Sequence, residues 1–251
     1  MLSAIHKPSP VQHLNHPNPT PIASFLRARL SPEGYLGLHL TLGMAAILLA
    51  LFVFGHIAED VVTQGSLLKL DEPVLQWLHA HITPARTTFF FVITEWHSTL
   101  GVLLMTALLA FWMARKKQWD WLLCLLLSVP LGMLLNVMLK NIFQRQRPAF
   151  DQPLLTLVSY SFPSGHTAAA TLFYGVLGAW LLTGPGRKWP VPVVLAAMGM
   201  VGLVALSRMY FGVHYPSDVV AAMASSSAWL AITFTGIAIW RKHQTFLSGQ
   251  S

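Results

Sequence analysis

The sequence predicts an all-α, polytopic membrane protein built as a six-transmembrane-helix bundle. Three observations carry that prediction. Of 251 residues, 54% are apolar, while 16 Lys and Arg and 9 Asp and Glu make the charged share only 10%. A soluble domain carries about 25% charged residues, so this chain cannot cover a globule of its size with polar groups. The few charges are also bunched, which leaves long charge-free stretches between them. Those stretches are rich in Leu, Ala, Met and Gly and lack the alternation of an outer-membrane barrel. An ordinary cytosolic domain and a disordered chain are thereby excluded. With Cys124 as the single cysteine, a disulfide-stapled secreted module is excluded too.

A helix needs about 20 apolar residues to cross the hydrocarbon core. Gly34–Ala58 offers 25 residues free of Asp, Glu, Lys and Arg, and Trp96–Ala114 and Trp121–Leu139 offer 19 each. Gln152–Gly186 runs 35, but Pro153, Ser159, Ser161 and Pro163 interrupt its first half, so only His166 to Thr183 reads as a span. Trp189–Ser207 and Val219–Trp240, of 19 and 22 residues, complete the six. Pro130 removes one backbone hydrogen bond inside the third span and predicts a kink there. Between the first two spans, Glu72–Ile82 reads as an amphipathic helix at the membrane surface, in an apolar region broken by Pro84 and Arg86.

The expected organisation is a disordered cytoplasmic tail over 1–33, one membrane domain over 34–240 without internal repeats, and a cytoplasmic tail over 241–251. The first 30 residues are rich in Pro and His and hold no stretch suited to a signal peptide, so the first span is expected to serve as an uncleaved anchor. His6, His13 and His16 in that tail are too irregularly spaced to read as a metal site.

Six spans place both ends on one side. Ten basic residues share that side: Lys7, Arg27, Arg29, Arg115, Lys116, Lys117, Arg187, Lys188, Arg241 and Lys242. The other side holds six, Lys69, Arg86, Lys140, Arg145, Arg147 and Arg208, together with Glu59, Asp60, Asp71, Glu72 and Glu95. The positive-inside rule puts both termini in the cytoplasm. The net charge of +7 is thus largely a topology signal, and no clustered basic and aromatic face invites nucleic acid.

Charged groups that persist beside a span are functional candidates. Three clusters fall on the outer side: Lys140-Asn-Ile-Phe-Gln-Arg-Gln-Arg147-Pro148, Pro163-Ser164-Gly165-His166, and Ser207-Arg208 through His214 to Asp218. They sit at adjacent helix ends, so they can converge. Lys140, Arg147 and Arg208 would repel one another unless an anion lay between them, and guanidinium suits phosphate oxygens. Pro163-Ser164-Gly165 just before a helix offers free backbone N–H groups at the positive end of its dipole, and Gly165 allows close approach. His214 and Asp218 are four residues apart, with Pro216 suited to the first turn of the sixth helix. The carboxylate can hold one imidazole nitrogen and leave the other as nucleophile or base. His166, at another helix mouth, can protonate a leaving oxygen. No paired carboxylates supply a metal cage.

Singly, each has a plainer role. The cations can snorkel to headgroups, and Arg145 is read as such an anchor. His39, His56, His79, His81 and His97 are read as structural or interfacial, and Glu95-Trp96-His97 as an interfacial belt or the site's rim. Jointly, three cations and a His–Asp pair at neighbouring ends on one side point to a phosphate site.

Lys140-x6-Arg147-Pro148, Pro163-Ser164-Gly165-His166 and Ser207-Arg208-x5-His214-x3-Asp218 resemble, complete and in order, the three-part signature of the type 2 phosphatidic acid phosphatase (PAP2) superfamily. The resemblance spans roughly residues 36–240. It implies a six-helix membrane phosphatase working through a phosphohistidine, without metal or other cofactor. It makes His214 the nucleophile, Asp218 its orienting partner and His166 the acid for the leaving group. Lys140, Arg147, Ser164, Gly165 and Arg208 would hold the phosphate. The substrate implied is a lipid phosphate or diphosphate of the phosphatidic acid, phosphatidylglycerol phosphate or undecaprenyl diphosphate type. The site would face the outer side of a bacterial inner membrane. A lipid-linked phosphotransferase using the same histidine is the alternative. A non-catalytic lipid transporter is disfavoured, because neither inverted repeats nor a midplane charge site is visible.

Overall fold

A backbone crossing a bilayer finds no water there, so it must close its hydrogen bonds within itself. The protein does so with helices in a computed structural model that describes residues 37–183 and 190–248. In chain order these are α1 (Gly37–Thr63), a 3-10 turn (Ser66–Leu70), α2 (Asp71–Ala80), α3 (Pro84–Trp96), α4 (Thr99–Arg115), α5 (Trp119–Phe143), α6 (Gly165–Thr183), α7 (Pro190–Tyr210) and α8 (Pro216–Ser248). The expected tail over 1–33 with His6, His13 and His16, the basic pair Arg187 and Lys188, and residues 249–251 lie outside the described residues.

A helix stands at each of the six expected positions, but the helices do not all qualify as crossings. Four are long and apolar enough: Leu40–Thr63 of α1, Trp119–Phe143, Pro190–Tyr210, and Pro216–Gln244 of α8. Helices α3 and α4 add a fifth only as one bent pair, at 53° to each other. The described helices therefore support four or five crossings by length and composition, against the six expected. The two expected spans that are not crossings by themselves are α4, which counts only together with α3, and α6. Helix α6 is packed by α4, α5, α7 and α8, and nine of its residues are buried. Screened from lipid by its neighbours, it can carry His166, Thr167 and Thr171 with little exposure to hydrocarbon.

The core forms where these helices meet. Val102 and Met113 of α4, Leu125 and Val129 of α5, and Leu172 and Val176 of α6 are buried together. Without a hydrophobic drive between helices in lipid, close packing depends on small residues. Gly132 of α5 is one: a Cβ there would lie 2.7 Å from Leu172 Cδ1 and 2.9 Å from Trp229 Cδ1. The outward residues Leu48, Phe52, Leu108 and Ile142 are exposed and apolar, as a lipid-facing surface requires.

Two stretches differ from expectation. Pro84 and Arg86, read as a break, instead start α3: Pro84 fits the first turn, and the Thr83 hydroxyl accepts a hydrogen bond from the Arg86 N–H at 3.4 Å. Helix α3 rests on α7, with Thr87 Oγ1 2.9 Å from the Tyr210 hydroxyl and the Phe90 ring 4.7 Å from that of Tyr210. Helix α8 runs on through the expected 241–251 tail as far as Ser248, and Arg241 pairs with Asp120 at 2.9 Å. The surface helix expected over Glu72–Ile82 is present as α2, with Asp71, Leu75 and Leu78 buried.

Substituting Gly132→Leu is expected to lower the thermal midpoint of the detergent-solubilised protein. Overpacking of this kind costs about 1–3 kcal/mol. An unchanged midpoint would mean that α5 and α6 can separate without penalty.

Candidate active site

Helix ends place the functional side chains. Lys140 lies in the last turn of α5, Gly165 and His166 open α6, Arg208 lies in the last turn of α7, and Asp218 lies in the first turn of α8. Arg147 comes from the α5–α6 connection and His214 from the short turn joining α7 to α8. Lys140, Arg147, Gly165, His166, Arg208 and His214 line one cavity of about 920 Å³. Among the described residues no carboxylate lines it. Its other wall is apolar and includes Leu103, Pro130, Met133, Leu134 and Val137.

His214 and Asp218 are buried, at 1% and 0% exposure, and the imidazole Nδ1 lies 3.3 Å from Asp218 Oδ2. A carboxylate at Nδ1 holds the ring proton there and leaves the Nε2 lone pair free. Burial pushes the His214 pKa from 6.5 down to about 3, against the raising pull of Asp218. The ring is therefore neutral and able to act as a nucleophile. Its Nε2 lies 3.3 Å from Arg147 Nη1.

Lys140 and Arg147 are held by backbone carbonyls and Arg208 by a hydroxyl, rather than by acids. Lys140 Nζ donates to Tyr160 O at 2.8 Å and Ser161 O at 3.3 Å. Arg147 donates from Nε to Ser159 O at 2.7 Å and from Nη1 to Val213 O at 2.6 Å. Arg208 is 2% exposed and donates to the Thr94 hydroxyl, while its Nε is buried with no partner among the described residues. A buried donor left unmade is costly, and an anion in the cavity would remove that cost. His166 lines the same cavity and makes no hydrogen bond among the described residues.

Ser164 is placed differently from the sequence expectation. It lies behind the cavity wall, fully buried, with its N–H donated to Asp218 O at 3.1 Å and its hydroxyl 2.9 Å from Thr167 Oγ1. It ties the start of α6 to α8 instead of offering a free N–H. Arg145 is a correction. Far from snorkelling as an anchor, it donates to Asp218 Oδ1 at 2.6 Å and to Asp71 Oδ2 at 2.8 Å, with its side chain only 12% exposed. The pattern of basic residues contained no signal for this, because both acids lie more than 70 residues away. Thr94, Ser217 and Asp71 were likewise unforeseen. His97 is buried, and its ring nitrogens lie 2.7 Å from Ile93 O and 2.8 Å from the Tyr174 hydroxyl.

Gly212 sets the turn that carries His214. Its φ of +65° is left-handed, and a Cβ there would meet the Phe150 ring at 2.7 Å.

The sequence pattern of the PAP2 superfamily matches residues 121–242, which include every one of the expected site positions. Over that stretch, just under half of its length, the chain is similar to the PAP2 superfamily. Phosphatidylglycerophosphatase B of Bacillus subtilis is 40% identical over 106 residues, 41% of this chain and 51% of that protein. Decaprenylphosphoryl-5-phosphoribose phosphatase of Mycobacterium tuberculosis is 35% identical over 130 residues, 50% of this chain and 65% of that protein. The matched part thus spans about half to two thirds of the length of these curated relatives. The fold is similar to the crystal structure of a transmembrane PAP2-type phosphatidylglycerolphosphate phosphatase from Bacillus subtilis. That match has a TM-score of 0.65 and 27% identity over 76% of this chain and 94% of the other.

Two outcomes follow for this site. Gly212→Ala forces a left-handed alanine, at about 1–2 kcal/mol, into the Phe150 ring. It is expected to lower both the thermal midpoint and kcat, and an unaltered kcat would show that the turn does not hold His214. The second concerns pH. Folded His214 stays neutral down to about 3, whereas the unfolded chain protonates it near 6.5. Within that window the unfolded state binds the extra proton, so stability falls as pH falls. Thermal midpoints between pH 7 and pH 4 should drop less steeply for His214→Gln than for the unsubstituted protein.

Proposed function

We propose that the protein is an integral membrane lipid phosphatase. It hydrolyses a lipid phosphate or diphosphate through His214, without metal, at the outer face of the membrane. One observation carries the reading. A single cavity joins three cations and the buried His214–Asp218 pair to an apolar wall of Leu103, Met133, Leu134 and Val137. Phosphate suits the first end and an acyl or prenyl chain suits the second.

In this reading Lys140, Arg147 and Arg208 take up the phosphate oxygens, and Gly165 lets the backbone at the head of α6 come close. The Nε2 lone pair of His214 attacks phosphorus, a P–N bond forms, and the P–O bond to the lipid breaks. His166 delivers a proton to the departing oxygen. Water then attacks the phosphohistidine, its proton passes to His166, and phosphate leaves with His214 restored. Asp218 holds Nδ1 and offsets the positive charge that the ring gains. Developing charge on phosphorus is met by fixed cations, which is where electrostatic catalysis is strongest. The topology proposed with it has six crossings, α6 among them, both termini in the cytoplasm and the site on the outer side, in a bacterial inner membrane.

Lipid-linked phosphotransfer shares every step up to the phosphohistidine and differs in the acceptor. The test is inorganic phosphate release by purified protein in detergent with EDTA present. Phosphatidic acid, phosphatidylglycerol phosphate and undecaprenyl diphosphate serve as substrates, with His214→Ala as control. Release that survives EDTA and falls by roughly 10³-fold or more in His214→Ala is expected. Full turnover by His214→Ala sinks the nucleophile assignment, and consumption of lipid without phosphate release favours transfer. Lys140→Met is expected to raise KM and lower kcat together, because that cation would meet charge in both ground and transition states.

A further inference from the structure

Asp218 has no exposed surface, and an ionised carboxylate so placed must be paired and hydrogen-bonded to remain charged. Its two oxygens are used separately. Oδ1 accepts from Arg145 Nη1 at 2.6 Å, while Oδ2 accepts from the Tyr215 N–H at 2.9 Å and faces His214 Nδ1 at 3.3 Å. The second amino group of Arg145 donates to Asp71 Oδ2 at 2.8 Å, and its guanidinium lies over the Tyr215 ring at 4.0 Å. Asp71 is fixed in turn by Ser217, whose N–H donates to Oδ1 at 2.9 Å and whose hydroxyl donates to Oδ2. Asp71 thus caps the start of α8 from α2, while Asp218 sits in the first turn of α8 itself.

Counting charges shows why both acids matter. Arg145 and Asp218 alone form a neutral pair. With Asp71 added, two carboxylates share one guanidinium, and the cluster presents a net negative charge beside His214. When Nε2 bonds to phosphorus, the imidazole ring becomes positive, and that net charge is its counter-ion.

We propose that Arg145 and Asp71 are positioning residues of the phosphoryl-transfer step: Arg145 aims Asp218 at His214, and Asp71 offsets Arg145 so that the pair stays negative. The proposal rests on the reading of His214 as nucleophile. Neither residue lines the phosphate cavity; both border a separate recess on the far side of the cluster. Their loss should therefore appear in kcat and not in phosphate binding.

The experiment uses the full-length protein in detergent with a lipid phosphate that it hydrolyses. It measures kcat, KM and competitive inhibition by inorganic phosphate, scaled to folded protein by thermal midpoint. Asp71→Asn, nearly isosteric and one charge short, is expected to lower kcat by about 10- to 100-fold, the range seen when an outer partner of a reacting group is removed. KM and phosphate inhibition should stay within about twofold of the unsubstituted values, a flag that a merely structural residue would not raise. Arg145→Met is expected to lose more, and Arg145→Lys to recover part of it. If Asp71→Asn does not fold, Arg145→Lys carries the test of positioning by itself: it keeps the charge but not the two-pronged reach to Asp218 and Asp71, so kcat should fall with KM and phosphate inhibition unchanged, and an unsubstituted kcat overturns the proposal. Unsubstituted kcat in Asp71→Asn, or a loss confined to KM and phosphate inhibition, overturns the proposal. His214→Ala in the same series separates the two levels. If it also keeps full turnover, the nucleophile reading has failed; if it is inactive while Asp71→Asn is unaffected, only this inference has.

Discussion

The buried carboxylate of Asp218 is the constraint around which the outer end of the bundle is arranged. A lone carboxylate without solvent is so unfavourable that every nearby donor must be turned towards it. Arg145 comes in from the α5–α6 connection, Tyr215 offers its backbone N–H, and His214 presents Nδ1. Ser164 even donates its own N–H to the Asp218 carbonyl, which fastens the start of α6 to the start of α8. The carboxylate thus draws the α5–α6 connection onto the α7–α8 turn, and the Asp218 backbone holds the start of α6 against the same place.

The cavity beside it poses the opposite problem. Lys140, Arg147 and Arg208 face a space that no carboxylate lines, and Arg208 keeps a buried Nε without a partner among the described residues. Backbone carbonyls of residues 159–161 and 213 steady the lysine and Arg147 without neutralising them. Positive potential is thus preserved for a ligand, whereas on the other side of His214 the cluster of Asp218, Arg145 and Asp71 is negative. The imidazole stands between a positive cavity and a negative support, which is the polarity a nucleophile attacking phosphate requires.

Helix α6 shows how the membrane and the site constrain each other. It is the most enclosed part of the bundle and begins with Gly165 and His166 at the cavity. Because neighbouring helices shield it, it need not be as apolar as the lipid-facing α1, and it is not among the helices long and apolar enough to cross by themselves. The small residues along it, including Ala168, Ala169 and Ala170, are buried where close approach of helices is needed.

Sequence by itself determined the membrane class, the positions of the main helices and the three clusters that form the cavity. Hydrophobic length and the cost of charge near lipid are local properties that can be read along the chain. The His214–Asp218 pair was legible for the same reason, since one helical turn separates its members. What only tertiary structure decided was how groups far apart in the chain pair up. Arg145 looked like a surface anchor because Asp71 and Asp218 lie 74 and 73 residues from it, yet it bridges both. Ser164 looked like a phosphate donor because it precedes a helix, yet its N–H is spent on Asp218 O. Pro84 looked like a break because proline ends helices more often than a reader expects it to start them, yet it opens α3 against Tyr210. For Arg145 and Ser164 the deciding interaction joins residues whose separation along the chain carries no periodic signal, so only the packed bundle could reveal it; the cap that starts α3 at Thr83 and Pro84 is local.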